Sequence, residues 1–115
     1  LILILFRFVF LLGYVPTASM EPALKTGSLL LGVRVWGDIQ KGDIIVFQHN
    51  KEYLVKRVEA VEGDLIESNG ENLVVPEGGF YVLGDNGQCS YDSRYWEYPF
   101  VMNDDIVAKV ILPTR

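Results

Sequence analysis

A chain of 115 residues makes one domain around one core and is too short for two. The formal net charge of −5 argues against a nucleic-acid partner, which calls for a basic surface. A single cysteine, Cys89, excludes an internal disulfide and a zinc ribbon, and a single histidine, His49, excludes a two-histidine metal site. No metal or cofactor is expected.

The sequence starts at Leu1, and Leu1 to Val15 is almost wholly apolar, broken by Arg7, Gly13 and Tyr14. That is shorter than the about 20 residues of a full membrane span. It reads first as the outer end of a transmembrane helix. The competing readings are a signal-peptide core, which lacks a charged region before it and a small-x-small site after it, and a buried strand. In the helix reading Arg7 keeps its stem in lipid and its charge at the headgroups. From Arg7 to Leu12 the residues are aromatic and β-branched, so this part either extends the helix or lies as a strand along the membrane surface. Residues 1–14 are assigned to the end of an anchor and an interfacial segment, and residues 15–115 to a β domain.

Pro16 ends any helix and pushes Val15 into extended geometry. Ser19-Met20-Glu21-Pro22 then makes a tight segment between prolines. Ser28 to Val35 is expected to be a strand with a bulge at Gly32. Asp43 to Gln48 and Tyr53 to Glu62 are strands joined by the polar connection His49-Asn50-Lys51-Glu52. Leu65 to Ser68 and Asn72 to Val75 form a hairpin around Asn69-Gly70. Phe80 to Leu83 runs into a polar loop from Gly84 to Arg94, and Ile106 to Leu112 closes the chain. About seven short strands and no amphipathic helix after the start predict a mainly β fold, an antiparallel coiled sheet or partly open barrel.

Most serines are structural, and Ser19 by itself has the bland role of a turn or cap hydroxyl. It fits neither the Gly-x-Ser-x-Gly elbow nor Ser-x-x-Lys, since Pro22 stands where that lysine would be. A serine nucleophile needs a base. His49 lies in a polar hairpin connection, where a solvated loop role is the simpler reading. Lys56 shares a strand face with Leu54, Val58 and Ala60, while Val55, Arg57, Glu59 and Val61 point the other way. Burial lowers an amine's pKa. A free lysine is neutral only about once in 2,500 at pH 7, so such lowering is what makes it a usable base. The competing role for Lys56 is snorkelling at a strand edge. In the Gly84–Arg94 loop, Ser90 can hold the Lys56 amine, and Asp92 with Arg94 can form a stiffening ion pair. Cys89 beside Ser90 is either an oxidation-sensitive thiol or a buried small residue.

Four blocks, in order and covering nearly the whole chain, resemble the bacterial type I signal peptidases. Pro16-Thr17-Ala18-Ser19-Met20-Glu21-Pro22-Ala23-Leu24 is similar to the family's nucleophile block. Lys41-Gly42-Asp43-Ile44-Ile45-Val46-Phe47 is similar to its second block. Val55-Lys56-Arg57-Val58, closing at Gly63-Asp64, is similar to the block that carries the lysine. Gly84-Asp85-Asn86, followed by Ser90-Tyr91-Asp92-Ser93-Arg94, is similar to the last. Gly87, Cys89 and Ala23 depart from the usual arginine, asparagine and threonine, none of them at the proposed pair. No large insertion stands between residues 64 and 85, where some members carry a second domain.

The resemblance implies a membrane-bound serine endopeptidase that removes signal peptides from secreted preproteins. Ser19 is then the nucleophile and Lys56 the general base. The Ser19 N–H and the Thr17 hydroxyl form the oxyanion hole, Ser90 orients Lys56, and Asp92 and Arg94 support the loop. It implies substrates with small residues at −1 and −3, bound as an extended strand, a single-pass anchor in the cell membrane and an extracytoplasmic catalytic domain. The enzyme is expected to be a monomer in contact with lipid, and Phe8 to Val15 and Leu83 are expected near the substrate pockets. Two alternatives stand beside it. One is a self-cleaving repressor-type Ser/Lys peptidase, against which the apolar start and the Asp-Ser-Arg loop speak. The other is a membrane-tethered β module that binds peptides without cutting them. An endoplasmic-reticulum-type signal peptidase would carry histidine in place of Lys56.

Overall fold

The computed structural model describes residues 10–14, 20–21, 29–33, 38–68, 70–86 and 92–112. Among them are nine strands: β1 (Phe10–Tyr14), β2 (Leu29–Val33), β3 (Ile44–His49), β4 (Glu52–Val61), β5 (Leu65–Ser68), β6 (Glu71–Val74), β7 (Gly79–Leu83), β8 (Val101–Met102) and β9 (Ile106–Leu112). Seven form one antiparallel sheet in the order β1-β2-β9-β3-β4-β7-β8, and β5 and β6 pair as a separate hairpin. The closing strand β9 thus lies between β2 and β3 and ties the first third of the chain to the centre. β1 and β8 are the outer strands, so the described sheet is open.

Of the two courses left open for the apolar start, its described part takes the strand. Phe10 to Tyr14 pairs with β2 along its whole length, Phe10 opposite Val33 and Tyr14 opposite Leu29. The aromatic residues at its two ends, Phe10 and Tyr14, are of a type favoured in strands. Residues 1–9 lie outside the described part. Among the described residues no helix is long and apolar enough to cross a membrane.

Strand β3 shows why the core sits where it does. Ile44, Ile45, Val46 and Phe47 are all buried, so both faces of the sheet are covered there. One face meets Val58, Val82, Trp96, Val101 and Ile106, together with Ile45 and Phe47. The other meets Met20 and Ala108, together with Ile44 and Val46. A third cluster of Ala60, Val75 and Tyr81 seats the β5–β6 hairpin against β7.

The sheet coils because its ladders slip. Leu31 faces Leu112 but Gly32 faces Val110, so the extra residue is Ile111 on β9. The irregularity falls where Gly32 led us to expect it, but the partner strand supplies the bulged residue. A second slip leaves Val107 unmatched between β3 and β9, and a third leaves Glu59 unmatched between β4 and β7. Each bulge adds local twist.

The connection between β3 and β4 is a tight turn in which Asn50 and Lys51 both adopt positive φ, 49° and 69°. Asparagine tolerates this conformation, but a lysine Cβ does not sit well in it. Lys51→Gly is therefore expected to raise stability by about 0.5–1 kcal/mol, read as a higher urea midpoint at unchanged slope.

Candidate active site

Lys56 lies in the middle of β4, directly opposite Ile45 of β3. Its strand alternates as the sequence suggests as far as Val58, with Leu54, Lys56 and Val58 on one face. The Glu59 bulge then turns Ala60 to the opposite face, with Tyr81, and brings Val61 to the Val58 side, against the expected order. Lys56 itself is 3% exposed. Burial lowers its pKa from the ordinary lysine value. The nearby Asp92 carboxylate opposes that shift, and the Arg94 guanidinium adds to it.

Asp92 is fully buried and its carboxylate is well occupied. Oδ2 accepts the Gly84 N–H at 2.8 Å and the Arg94 Nη2–H at 2.8 Å. Oδ1 accepts the Arg94 Nε–H at 2.8 Å and the Arg94 backbone N–H at 3.2 Å. The two-pronged guanidinium contact offsets part of the charge Asp92 presents to Lys56, whose influence there still exceeds that of Arg94. Ser93, also fully buried, accepts the Val82 N–H at 3.0 Å through Oγ, which fastens the loop to β7. The short 3-10 turn Ser93–Tyr95 starts at Asp92, whose side chain caps it.

On the other face of β4, next in sequence to Lys56, Arg57 makes a second two-pronged pair. Its Nε–H and Nη2–H reach Asp85 Oδ1 and Oδ2 at 2.9 and 2.8 Å, and its Nη1–H reaches the Gly42 carbonyl at 2.7 Å. Gly42 and Asp43 continue the ladder, with Gly42 N–H to the Val58 carbonyl at 2.9 Å and Val58 N–H to the Asp43 carbonyl at 2.8 Å. The Gly-Asp pairs at 42–43 and 63–64 are turn devices. Gly42 and Gly63 take φ of +93° and +86°, and each aspartate accepts a backbone N–H three residues before it. Lys109 and Lys41 pair with these aspartates at 3.3 and 3.1 Å.

Met20, the residue after Ser19, is 1% exposed and packs on Ile44, Val46 and Ala108. Its Sδ accepts the Asp85 N–H at 3.4 Å. The chain immediately after Ser19 is therefore anchored on the central sheet, within two residues of main chain from the Gly84 amide that holds Asp92.

Thr17, Ser19 and Ser90 lie outside the described residues, as do Cys89 and Gly87. His49 is at the end of β3, four ladder positions from Ile45 and its partner Lys56. It stacks on Trp96 with ring centroids 4.0 Å apart, a packed position where the sequence suggested a solvated loop. Leu83 faces Arg57 across the ladder and packs on the Ala60 cluster. Sequence reasoning missed Met20, Trp96 and the Arg57–Asp85 pair. The pair joins residues far apart in the chain, and neither carries a local signal for the other. Among the described residues no group of histidine, cysteine or acidic side chains is placed to hold a metal ion.

A family model described as signal peptidase, peptidase S26, matches residues 1–75 and 68–114. A signal peptidase I from Leptolyngbya laminosa is 29% identical over 86% of this chain and 66% of its own length. A signal peptidase IB from Staphylococcus aureus strain Mu50 is 29% identical over 80% of this chain and 71% of its own. The chain thus spans about two thirds of the length of these relatives. The match runs through β4 with its buried lysine and through the loop that packs Asp92 beside it, and on that extent the chain belongs to the signal peptidase family, peptidase S26, a family of serine endopeptidases.

Proposed function

We propose that this domain removes N-terminal signal peptides from secreted preproteins through a Ser19/Lys56 pair. The observation that carries the reading is the burial of Lys56, which favours its neutral form. Met20, anchored on the same sheet, supports it by fixing the chain next to Ser19.

A neutral Lys56 Nζ takes the Ser19 hydroxyl proton as Oγ attacks the scissile carbonyl. The tetrahedral oxyanion is held by the Ser19 N–H and the Thr17 hydroxyl. As the tetrahedral intermediate collapses, the C–N bond breaks and the Lys56 ammonium returns its proton to the departing amine. The signal peptide remains as an ester on Ser19 and the mature protein leaves. Lys56 then deprotonates a water, whose attack on the ester regenerates Ser19. Ser90 orients the Lys56 amine, while Asp92 and Arg94 hold the surrounding loop. The substrate, with small residues at −1 and −3, lies as an added strand against the sheet. The apolar residues ahead of β1 continue a single-pass anchor, so that a monomer works on the extracytoplasmic surface of the cell membrane in contact with lipid.

The test is cleavage of a preprotein in detergent micelles. Ser19→Ala and Lys56→Ala are each expected to lose about 10⁴-fold in kcat, and His49→Ala to stay near wild type. Activity retained by Lys56→Ala overturns the reading. The wild-type rate should rise with pH as Lys56 loses its proton, with a limb below the free lysine value of about 10.4. A limb at that value rules out a buried base.

A further inference from the structure

Two adjacent amides just past β7 go to different partners. The Gly84 N–H goes to Asp92 Oδ2, and the Asp85 N–H goes to Met20 Sδ. This two-residue piece thus holds Asp92, which acts on Lys56, through one amide, and Met20, the neighbour of Ser19, through the next. Arg57, the neighbour of Lys56, grips the Asp85 side chain at two points and the Gly42 carbonyl at a third. The piece is therefore referenced to β4 and is not free to drift.

We propose that Met20 is a positioning residue of the site: its buried thioether accepts the Asp85 N–H and so fixes where the adjacent Ser19 stands relative to Lys56. The proposal rests on the Ser19/Lys56 reading. Packing alone would be served by any apolar side chain of the same volume, because Met20 is 1% exposed and lies among Ile44, Val46 and Ala108. What a hydrocarbon cannot supply is the acceptor. Without it the part-buried Asp85 amide has to find another partner by moving, and the end of β7 moves with it. A small misplacement of a nucleophile from its base is expensive in rate, up to about 100-fold for about 1 Å.

The experiment isolates the sulfur. The sequence contains two methionines, Met20 and Met102. Met102 accepts the Tyr98 hydroxyl at 3.6 Å on the far outer strand and takes no part in the proposed chemistry. The protein is prepared with Met102→Leu, and with leucine at any methionine that lies outside these 115 residues; this form is expected to cleave as wild type does. It is then labelled at methionine positions with norleucine, which has the shape but no acceptor, or with selenomethionine, which keeps one. Norleucine protein is expected to lose about tenfold in kcat on a preprotein, with KM within about twofold and an unchanged melting temperature. Selenomethionine protein is expected to match the methionine form. Equal kcat for the two labelled proteins overturns the inference, as does a loss confined to KM. Ser19→Ala and Lys56→Ala in the same background keep the two readings apart. If they abolish cleavage while norleucine does not, only the role of Met20 falls. If they leave cleavage intact, the Ser19/Lys56 pair falls with it.

Discussion

Replacing Lys56 with methionine is expected to abolish preprotein cleavage and, in the same protein, to raise stability at pH 7 by about 1 kcal/mol. The two effects have one cause. Burial lowers the Lys56 pKa in the folded state, whereas the unfolded chain keeps the ordinary value of 10.5. Between those two values the unfolded chain binds more protons than the folded one, so stability rises with pH across that window. Below the window the folded state carries the full cost of holding the amine away from water. A methionine of similar length has no charge to desolvate. Asp92 loses its coulombic attraction to the amine, but Arg94 and the Gly84 amide still occupy its oxygens. Urea unfolding of both proteins from pH 6 to 10 checks this. The wild-type curve should climb toward the variant as pH rises, and a variant less stable than wild type at pH 7 contradicts it.

Asp92→Asn is expected to lose about 2–4 kcal/mol of stability and to move the rising limb of the pH–rate profile to lower pH. Asp92 is fully buried and accepts from Gly84 and from Arg94 at four points. An amide offers one oxygen and turns an NH₂ donor toward groups that are themselves donors, so at least one buried donor is orphaned. Arg94 also loses its countercharge, which costs less than in a sealed interior because its side chain is 36% exposed. The limb moves because Asp92 raises the Lys56 pKa and Arg94 lowers it. Deleting the carboxylate leaves only the lowering influences. Arg94→Gln removes the cation instead and should move the limb the other way. Chemical denaturation and a pH–rate series on the three proteins read both effects, and shifts of the same sign in the two variants would mean that neither group acts on the lysine.

Much of the fold was legible because strands write themselves in short alternating runs. The alternation around Lys56 in β4 already puts the amine on an apolar face, and the burial of Lys56 and Val58 follows it, up to the Glu59 bulge that reverses Ala60 and Val61. Asn69-Gly70 marks the β5–β6 hairpin, and Asp43 to Gln48 marks strand β3. What escaped was pairing between distant segments. Nothing in Ile106 to Leu112 says that it inserts between β2 and β3, or that Ile111 and Val107 bulge there. Val101–Met102 is too short to announce itself, and Trp96 gave no hint that it would carry the His49 ring.

The site divides in the same way. The sequence alone determined the residue types and the order of the four blocks, and with them the family, because these are properties of neighbours along the chain. Only the tertiary structure decided what surrounds Lys56, how Asp92 is held, and that the adjacent Gly84 and Asp85 amides go to Asp92 and to Met20. Those facts depend on β4 and β7 lying side by side, and no local pattern encodes the distance between residues 20, 56 and 85. A pKa, likewise, is set by burial and by charges brought close in space, which exist only once the strands and the Asp92 loop have packed around the amine.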